Sequence, residues 1–157
     1  MAEASVITDE MRAAIGKEWE PITFEVDKTT VRIFARAVGY TDLIYYDEQY
    51  AKSKGYRSLP APMGFLGQPI FRPDIPSRPG HVMPFKSPYS RVLNGGTDVE
   101  YYEPICAGDV LTATAKIIDL SERSAAIGPM LLVTVESAYK NQEGRVAARF
   151  RGTLIQY

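Results

Sequence analysis

Eight of the chain's eleven prolines fall between Pro60 and Pro88. Each proline removes a backbone amide, fixes φ, and disfavours helical backbone in the residue before it. Neither a long helix nor an inner strand can run through such a stretch. It separates two parts of the sequence with different hydrophobic periods. The part before it is mostly helical in pattern, and the part after it alternates with a period of two.

In the first part, Thr8 to Lys17 is predicted as a short helix, capped by Thr8 or Asp9, with Met11, Ala14 and Ile15 on one edge. Ile22 to Val26 alternates apolar and polar residues as a strand with one buried face does. Asp27 is placed to cap a helix over Lys28 to Val38, whose Val31, Phe34, Ala35 and Val38 form an apolar stripe. Gly39 suits the helix end. Asp47 is placed to cap a further short helix through Ser53, which Gly55 ends. Pro62 suits the first position of another helix, carried by Met63 to Gln68 and limited by Pro69. Phe71 to Ser90 is predicted as a long loop, a length that in compact domains goes with function or mobility.

In the second part, Asp98 to Tyr102 is predicted as a strand ended by Pro104 and a turn at Ala107–Gly108–Asp109. Val110 to Leu120 is a long strand with Leu111, Ala113, Ala115 and Ile117 on one face. Ser121 to Gly128 is expected to be a connection, and Met130 to Tyr139 a second long strand. Asn141 to Gly144 has the residues of a four-residue turn, and Val146 to Ile155 is the last strand. Three long strands in succession make an antiparallel meander. The fold class is therefore α+β, in one domain over residues 1–157.

Formal net charge is −1, so no overall field recruits nucleic acid or an anionic membrane. An anionic ligand would have to be met locally. No run of apolar residues reaches the ~18 needed to span a bilayer, and the first residues lack the pattern of a signal peptide. The single cysteine, Cys106, allows no internal disulfide and fits a cytoplasmic location. It has no His or Cys neighbour at metal-ligand spacing, so no metal site is expected. No Gly-rich phosphate loop or Ser-centred elbow is present.

Three phrases carry a resemblance: YYDEQYAKSKGY leading into APMGF, then LNGGTDVEYYEPICAGDVLTATAKI, then YKNQEGRVAARFRGTLI. From Thr8 onward the chain resembles the MaoC-like hot-dog family, in particular its FAS1-like dehydratase branch. The resemblance implies a hot-dog fold, a curved antiparallel sheet wrapped round a central helix. It also implies pairing of hot dogs into dimers, and addition of water to trans-2-enoyl-CoA or the reverse dehydration of (R)-3-hydroxyacyl thioesters. That chemistry needs no cofactor beyond the acyl-CoA or acyl-carrier-protein thioester that is its substrate. It does need a base for the water, an acid for Cα, and donors for the enolate oxygen.

Active members of the family carry the acid/base pair in a phrase G-D-x-N-P-L-H-x-D just before the central helix. Laid on this chain, the phrase covers Gly39 to Asp47. Tyr40 then stands at the Asp position, Asp42 at the Asn position and Tyr45 at the His position. Shifting the register brings Asp42 to the base position and Asp47 to the acid position, which does not restore the pair. A tyrosine, with an ordinary pKa near ~10, is a poor base at neutral pH. The chain's one histidine, His81, lies in the proline-rich loop.

The candidate site residues are therefore Asp42, Tyr45 and Tyr40 for catalysis. For the acyl thioester they are the amides of Met63 and Gly64 at the expected helix start, and the segment Asn94–Gly95–Gly96. That last segment is either a backbone approach to a ligand or a bulge. Arg72, Arg78 and Lys86 are cations available to CoA phosphates.

Within the family, a subunit without the Asp/His pair resembles the non-catalytic half of a heterodimer. The expected function is that of such a subunit in an (R)-specific enoyl-CoA hydratase or 3-hydroxyacyl dehydratase. The partner implied is a second hot-dog subunit carrying Asp and His, or a second copy of this chain. The alternatives are an enzyme active alone through Asp42, with a tyrosine or His81, and a non-enzymatic acyl-CoA-binding protein.

Overall fold

The computed structural model describes residues 5–70, 73–74 and 83–157. Six strands form one antiparallel sheet in the order β2-β1-β4-β5-β6-β3. They are β1 (Ile22–Glu25), β2 (Gln68–Pro69), β3 (Val92–Tyr101), β4 (Val110–Ala125), β5 (Gly128–Lys140) and β6 (Val146–Gln156). The meander β4-β5-β6 is the one expected from the period-two pattern. Its strands are longer than expected at the β4–β5 end. Residues 121–125 continue β4, paired with β5 down to Ala125 opposite Gly128, where a connection was expected. Glu122 anchors this end by accepting hydrogen bonds from the Ser5 hydroxyl and from the Val6 and Ile7 amides.

The sheet is curved. Its ladders slip at Asn94/Gly96, Ile117/Asp119 and Tyr139/Lys140, and an extra residue in one strand bends it and tightens its twist. Leu111, Ala113, Ala115 and Ile117 are all buried on one face of β4, as their alternation predicts.

Three helices accompany the sheet: α1 (Asp9–Ala14), α2 (Lys28–Ala37) and α3 (Glu48–Ser53). Their caps are Thr8, Asp27 and Asp47, each accepting a first-turn amide. α2 buries Val31 and Ala35 completely, and Val31 meets Val26, Leu59, Phe65, Leu111 and Ala148 in the main core. Val38, expected on the same stripe, is 48% exposed because the helix has already ended there. A second core, built on Met11, Phe85, Ile117, Leu131 and Val133, covers the other end of the same sheet face.

The helix expected after Pro62 does not form. Phe65 donates to the Pro62 carbonyl in a single turn, and Gly64 and Gly67 have φ of +88° and +91°. Left-handed residues three apart are incompatible with a right-handed helix. The helix that meets the sheet core is instead α2, before the site phrase rather than after it.

One ion pair ties these parts together. Asp109, 2% exposed, takes both terminal nitrogens of Arg57 at 2.8 and 2.9 Å. It also accepts from the Cys106 amide at 2.8 Å and from the Gln142 side chain at 3.2 Å. Its backbone carbonyl accepts from Val26, and the Val26 carbonyl accepts from Gly108. Burial pushes the Asp109 carboxyl up. Arg57, Cys106 and Gln142 together outweigh that and hold it below the usual carboxylate range.

Two outcomes follow for stability. Arg57→Met leaves a buried carboxylate without its counter-ion and should destabilise the chain by about 3 kcal/mol, read as a lower urea midpoint at unchanged slope. Because the folded carboxyl titrates lower than the unfolded one, its contribution is complete above the ordinary value of ~3.9 and is lost as pH falls through the folded pKa. The gap between variant and parent should therefore hold at neutral pH and narrow in acid. Separately, a Cβ at Gly67 would lie 2.9 Å from the Glu25 carbonyl oxygen, whereas one at Gly144 meets nothing within 4 Å. Gly67→Ala should cost about 3 kcal/mol, strain plus clash, and Gly144→Ala about 1 kcal/mol, strain alone. Equal midpoints for the two variants would contradict this account.

Candidate functional site

The site phrase folds into a compact corner. Gly39, at φ +79°, turns the chain out of α2. Asp42 caps a single 3-10 turn, Leu43–Tyr45, its carboxylate accepting from the Ile44 amide at 2.9 Å. The Tyr46 hydroxyl donates to the Tyr40 carbonyl. The rings of Tyr40 and Tyr45 stack with centroids 5.4 Å apart. The three catalytic candidates are thus neighbours, but their roles differ. Asp42 is exposed and engaged with its own turn, Tyr40 is a stacking partner, and Tyr45 faces a cleft.

That cleft has a volume of about 350 Å³. Its walls come from three places. Tyr45 and Tyr56 stand on the helical side. Pro60, Ala61 and Met63 form the approach to the Pro62 turn. Tyr101, the last residue of β3, and the residues after it to Ile105 form the third. The second and third walls are joined by backbone. Ala61 donates to the Ile105 carbonyl at 2.7 Å and Ala107 donates to the Leu59 carbonyl at 2.8 Å, an antiparallel bridge centred on Pro60 and Cys106. Pro60 and Pro62 flank Ala61, so the prolines leave intact the one amide that their own side of the bridge must donate.

The Gly64 amide, expected at a helix N-terminus, instead donates to the Tyr101 hydroxyl at 2.7 Å. It is therefore not a free oxyanion donor. Met63 is 65% exposed at the cleft mouth. Asn94–Gly95–Gly96 forms the β3 bulge, with the Asn94 side chain accepting from the Gly96 amide. A Cβ at Gly95 would collide with Ile155 and with the Thr153 carbonyl. Six residues of extended strand, about 20 Å, separate Gly95 from Tyr101, so this segment is not part of the cleft.

The cleft's one carboxylate, Glu103, is bound by the Asn141 side chain and by Arg145. Burial, together with the nearby Tyr40, Tyr56 and Asp42, pushes the Tyr45 phenol up, so it stays protonated at neutral pH and is a hydrogen-bond donor, not a base. Tyr102 donates to Glu100 at 2.7 Å. Among the described residues, no group of His, Cys, Asp and Glu is arranged to hold a metal ion, and no helix is long and apolar enough to cross a membrane. His81, Arg72 and Arg78 lie outside the described residues, and Lys86 is exposed. Cys106 is buried, which pushes its thiol up. A second depression, about 410 Å³, lies beside the β4–β5 hairpin against Val6, Tyr89 and Met130, and gathers none of the candidates.

Sequence reading missed Arg57, Tyr56 and Tyr101 as parts of this corner. The signal present was the phrase ending in AGD: a buried Asp after a Gly turn calls for a cation, and Arg57 is the first one after Gly55, where the capped helix has ended.

Comparison with known proteins places the chain. Residues 13–150 match the family model for the FAS1-like dehydratase domain region. A UPF0336 protein of Clavibacter michiganensis subsp. michiganensis is 32% identical over 138 residues, covering 83% of each chain. Among solved structures, that of the C-terminally truncated HadBC (3R-hydroxyacyl-ACP dehydratase) complex from Mycobacterium tuberculosis superposes with a TM-score of 0.69 at 21% identity, covering 90% of this chain and 96% of that one. A MaoC-like dehydratase superposes with a TM-score of 0.72 at 24% identity, covering 92% of this chain and 42% of that one. The curled antiparallel sheet is therefore a MaoC-like hot-dog fold, and the chain belongs to the FAS1-like dehydratase domain region family.

Proposed function

We propose that this chain is the non-catalytic subunit of a heteromeric (R)-specific enoyl thioester hydratase, or 3-hydroxyacyl thioester dehydratase in the reverse direction. It binds the acyl thioester, and a second hot-dog subunit supplies the Asp/His acid and base. The observation that carries the reading is the state of the site phrase. Where active relatives place their acid/base pair, Tyr40 stacks on Tyr45, and one oxygen of the exposed Asp42 carboxylate caps its own turn at the Ile44 amide. Hydration requires a group that removes a proton from water, and a phenol held above its ordinary pKa does not do so at neutral pH.

The sheet edge supports a partner. β3 is ten residues long, among the described residues pairs with β6 on one side only, and is exposed along most of its length. Val92 and Leu93 are 55% and 48% exposed. A long unpaired edge of this kind offers a ladder of amides and carbonyls to a strand of another subunit. The HadBC structure is itself that of a complex.

The test is reconstitution. The purified chain alone should not hydrate crotonyl-CoA or longer trans-2-enoyl-CoA, and turnover should appear when a MaoC-like subunit carrying Asp and His is added. Turnover by the lone chain that Asp42→Asn abolishes would overturn the proposal. Acyl-CoA binding with no turnover in any pairing would favour a binding protein instead.

A further inference from the structure

We infer that the Tyr101 hydroxyl is the positioning group for the ligand's carbonyl oxygen in the cleft, a phenol acting as donor on behalf of the Gly64 amide. The inference rests on the proposal that the cleft takes an acyl thioester. A phenol oxygen carries one hydrogen and two acceptor lone pairs. Gly64 donates to that oxygen at 2.7 Å and so occupies a lone pair. Among the described residues no acceptor takes the phenol hydrogen, and Tyr101 lines the cleft. The hydrogen is left for whatever enters.

Three features make this more than an incidental wall residue. The ring is fixed, because Tyr101 packs on the main core and sits in register opposite Ala148 of β6. The hydroxyl is fixed from the other side, because Gly64 adopts φ +88° to aim its amide at it, in a turn that replaces a helix. An accepted hydrogen bond also polarises the O–H and strengthens it as a donor. The rest of the lining suits a neutral carbonyl with an apolar body. Met63, Ala61 and Ile105 are apolar, and Glu103 is already bound by Asn141 and Arg145. A backbone oxyanion donor at a helix start has thus been exchanged for a side-chain donor relayed from the same amide.

The experiment compares octanoyl-CoA with S-octyl-CoA, the thioether that has the same body and no carbonyl, on the full chain. All the cleft walls described here belong to this one chain, so binding is measured without a partner. The parent should bind the thioester about tenfold more tightly than the thioether, the size of one hydrogen bond, and Tyr101→Phe should erase that preference without weakening thioether binding. The carbonyl stretch of octanoyl-CoA, isotope-labelled at the carbonyl carbon, should shift down on binding to the parent and return towards its free position in Tyr101→Phe. Tyrosine fluorinated beside the hydroxyl, introduced at the same position, keeps the ring and makes a stronger donor, so it should shift the stretch further than the parent does. This last arm answers for any loss of stability in the Phe variant. Equal affinity of the parent for both ligands, or a preference that survives Tyr101→Phe, overturns the inference and leaves acyl-CoA binding standing. Failure of the parent to bind either ligand overturns the acyl-thioester reading of the cleft and this inference with it.

Discussion

The carboxylate of Asp109 is the point on which this corner of the molecule depends. It is buried at the start of β4, and an isolated charge there would be strongly unfavourable. Three donors from three places resolve this: Arg57 from the loop after α3, Cys106 from its own turn, and Gln142 from the β5–β6 turn. Two of these segments, the loop that carries Arg57 and the turn that carries Cys106, run directly on from residues that frame the cleft. Ion pairs of this kind contribute little by their net energy. Their effect is to exclude arrangements in which the charge is unpaired.

The geometry propagates a short distance from there. With Arg57 held, the chain leaves it extended, and Leu59 to Ala61 pair with Ile105 to Ala107. Leu59 goes fully into the core, which fixes where Pro62 starts its turn. The prolines act here by subtraction. They remove amides that would otherwise seek partners, and those that remain at Ala61 and Gly64 each have one partner. The turn closes on Gly67, whose α-hydrogen side lies against the Glu25 carbonyl, bringing β2 beside β1.

What was legible in the sequence was local or periodic. Asp27 and Asp47 act as caps because a cap needs only the next three residues. β4, β5 and β6 were legible because alternation records burial directly. The end of β4 was hidden by its composition: Ser121 to Ala125 is polar and small, and the strand persists there because β5 pairs with it and Glu122 is held by Ser5 to Ile7. The helix assigned after Pro62 failed because glycine is permissive in both directions. Whether Gly64 and Gly67 turn left-handed is decided by Tyr101 and Glu25, both distant in sequence. The ion pair was missed for the same reason, since 52 residues separate Arg57 from Asp109. The neighbourhood of Tyr40, Asp42 and Tyr45 was legible because they are close in sequence, whereas the contact of Tyr101 with Gly64 spans 37 residues and was not.

That difference bears on the proposed role. An acid/base site needs groups whose proton affinity straddles the working pH, and it tolerates little rearrangement. A binding site needs donors that keep their protons and do not move. Burial beside other phenols and the nearby Asp42 carboxylate, the circumstance that disqualifies Tyr45 as a base, makes it a dependable donor. Replacing the phrase's acid/base pair with stacked tyrosines therefore does more than delete a function. On the proposed function it leaves a rigid corner in place of a reactive one, with hydroxyls and apolar walls suited to a neutral carbonyl. In the heteromer proposed above, the chemistry would fall to the other subunit, and reactivity and rigidity would not compete within one chain.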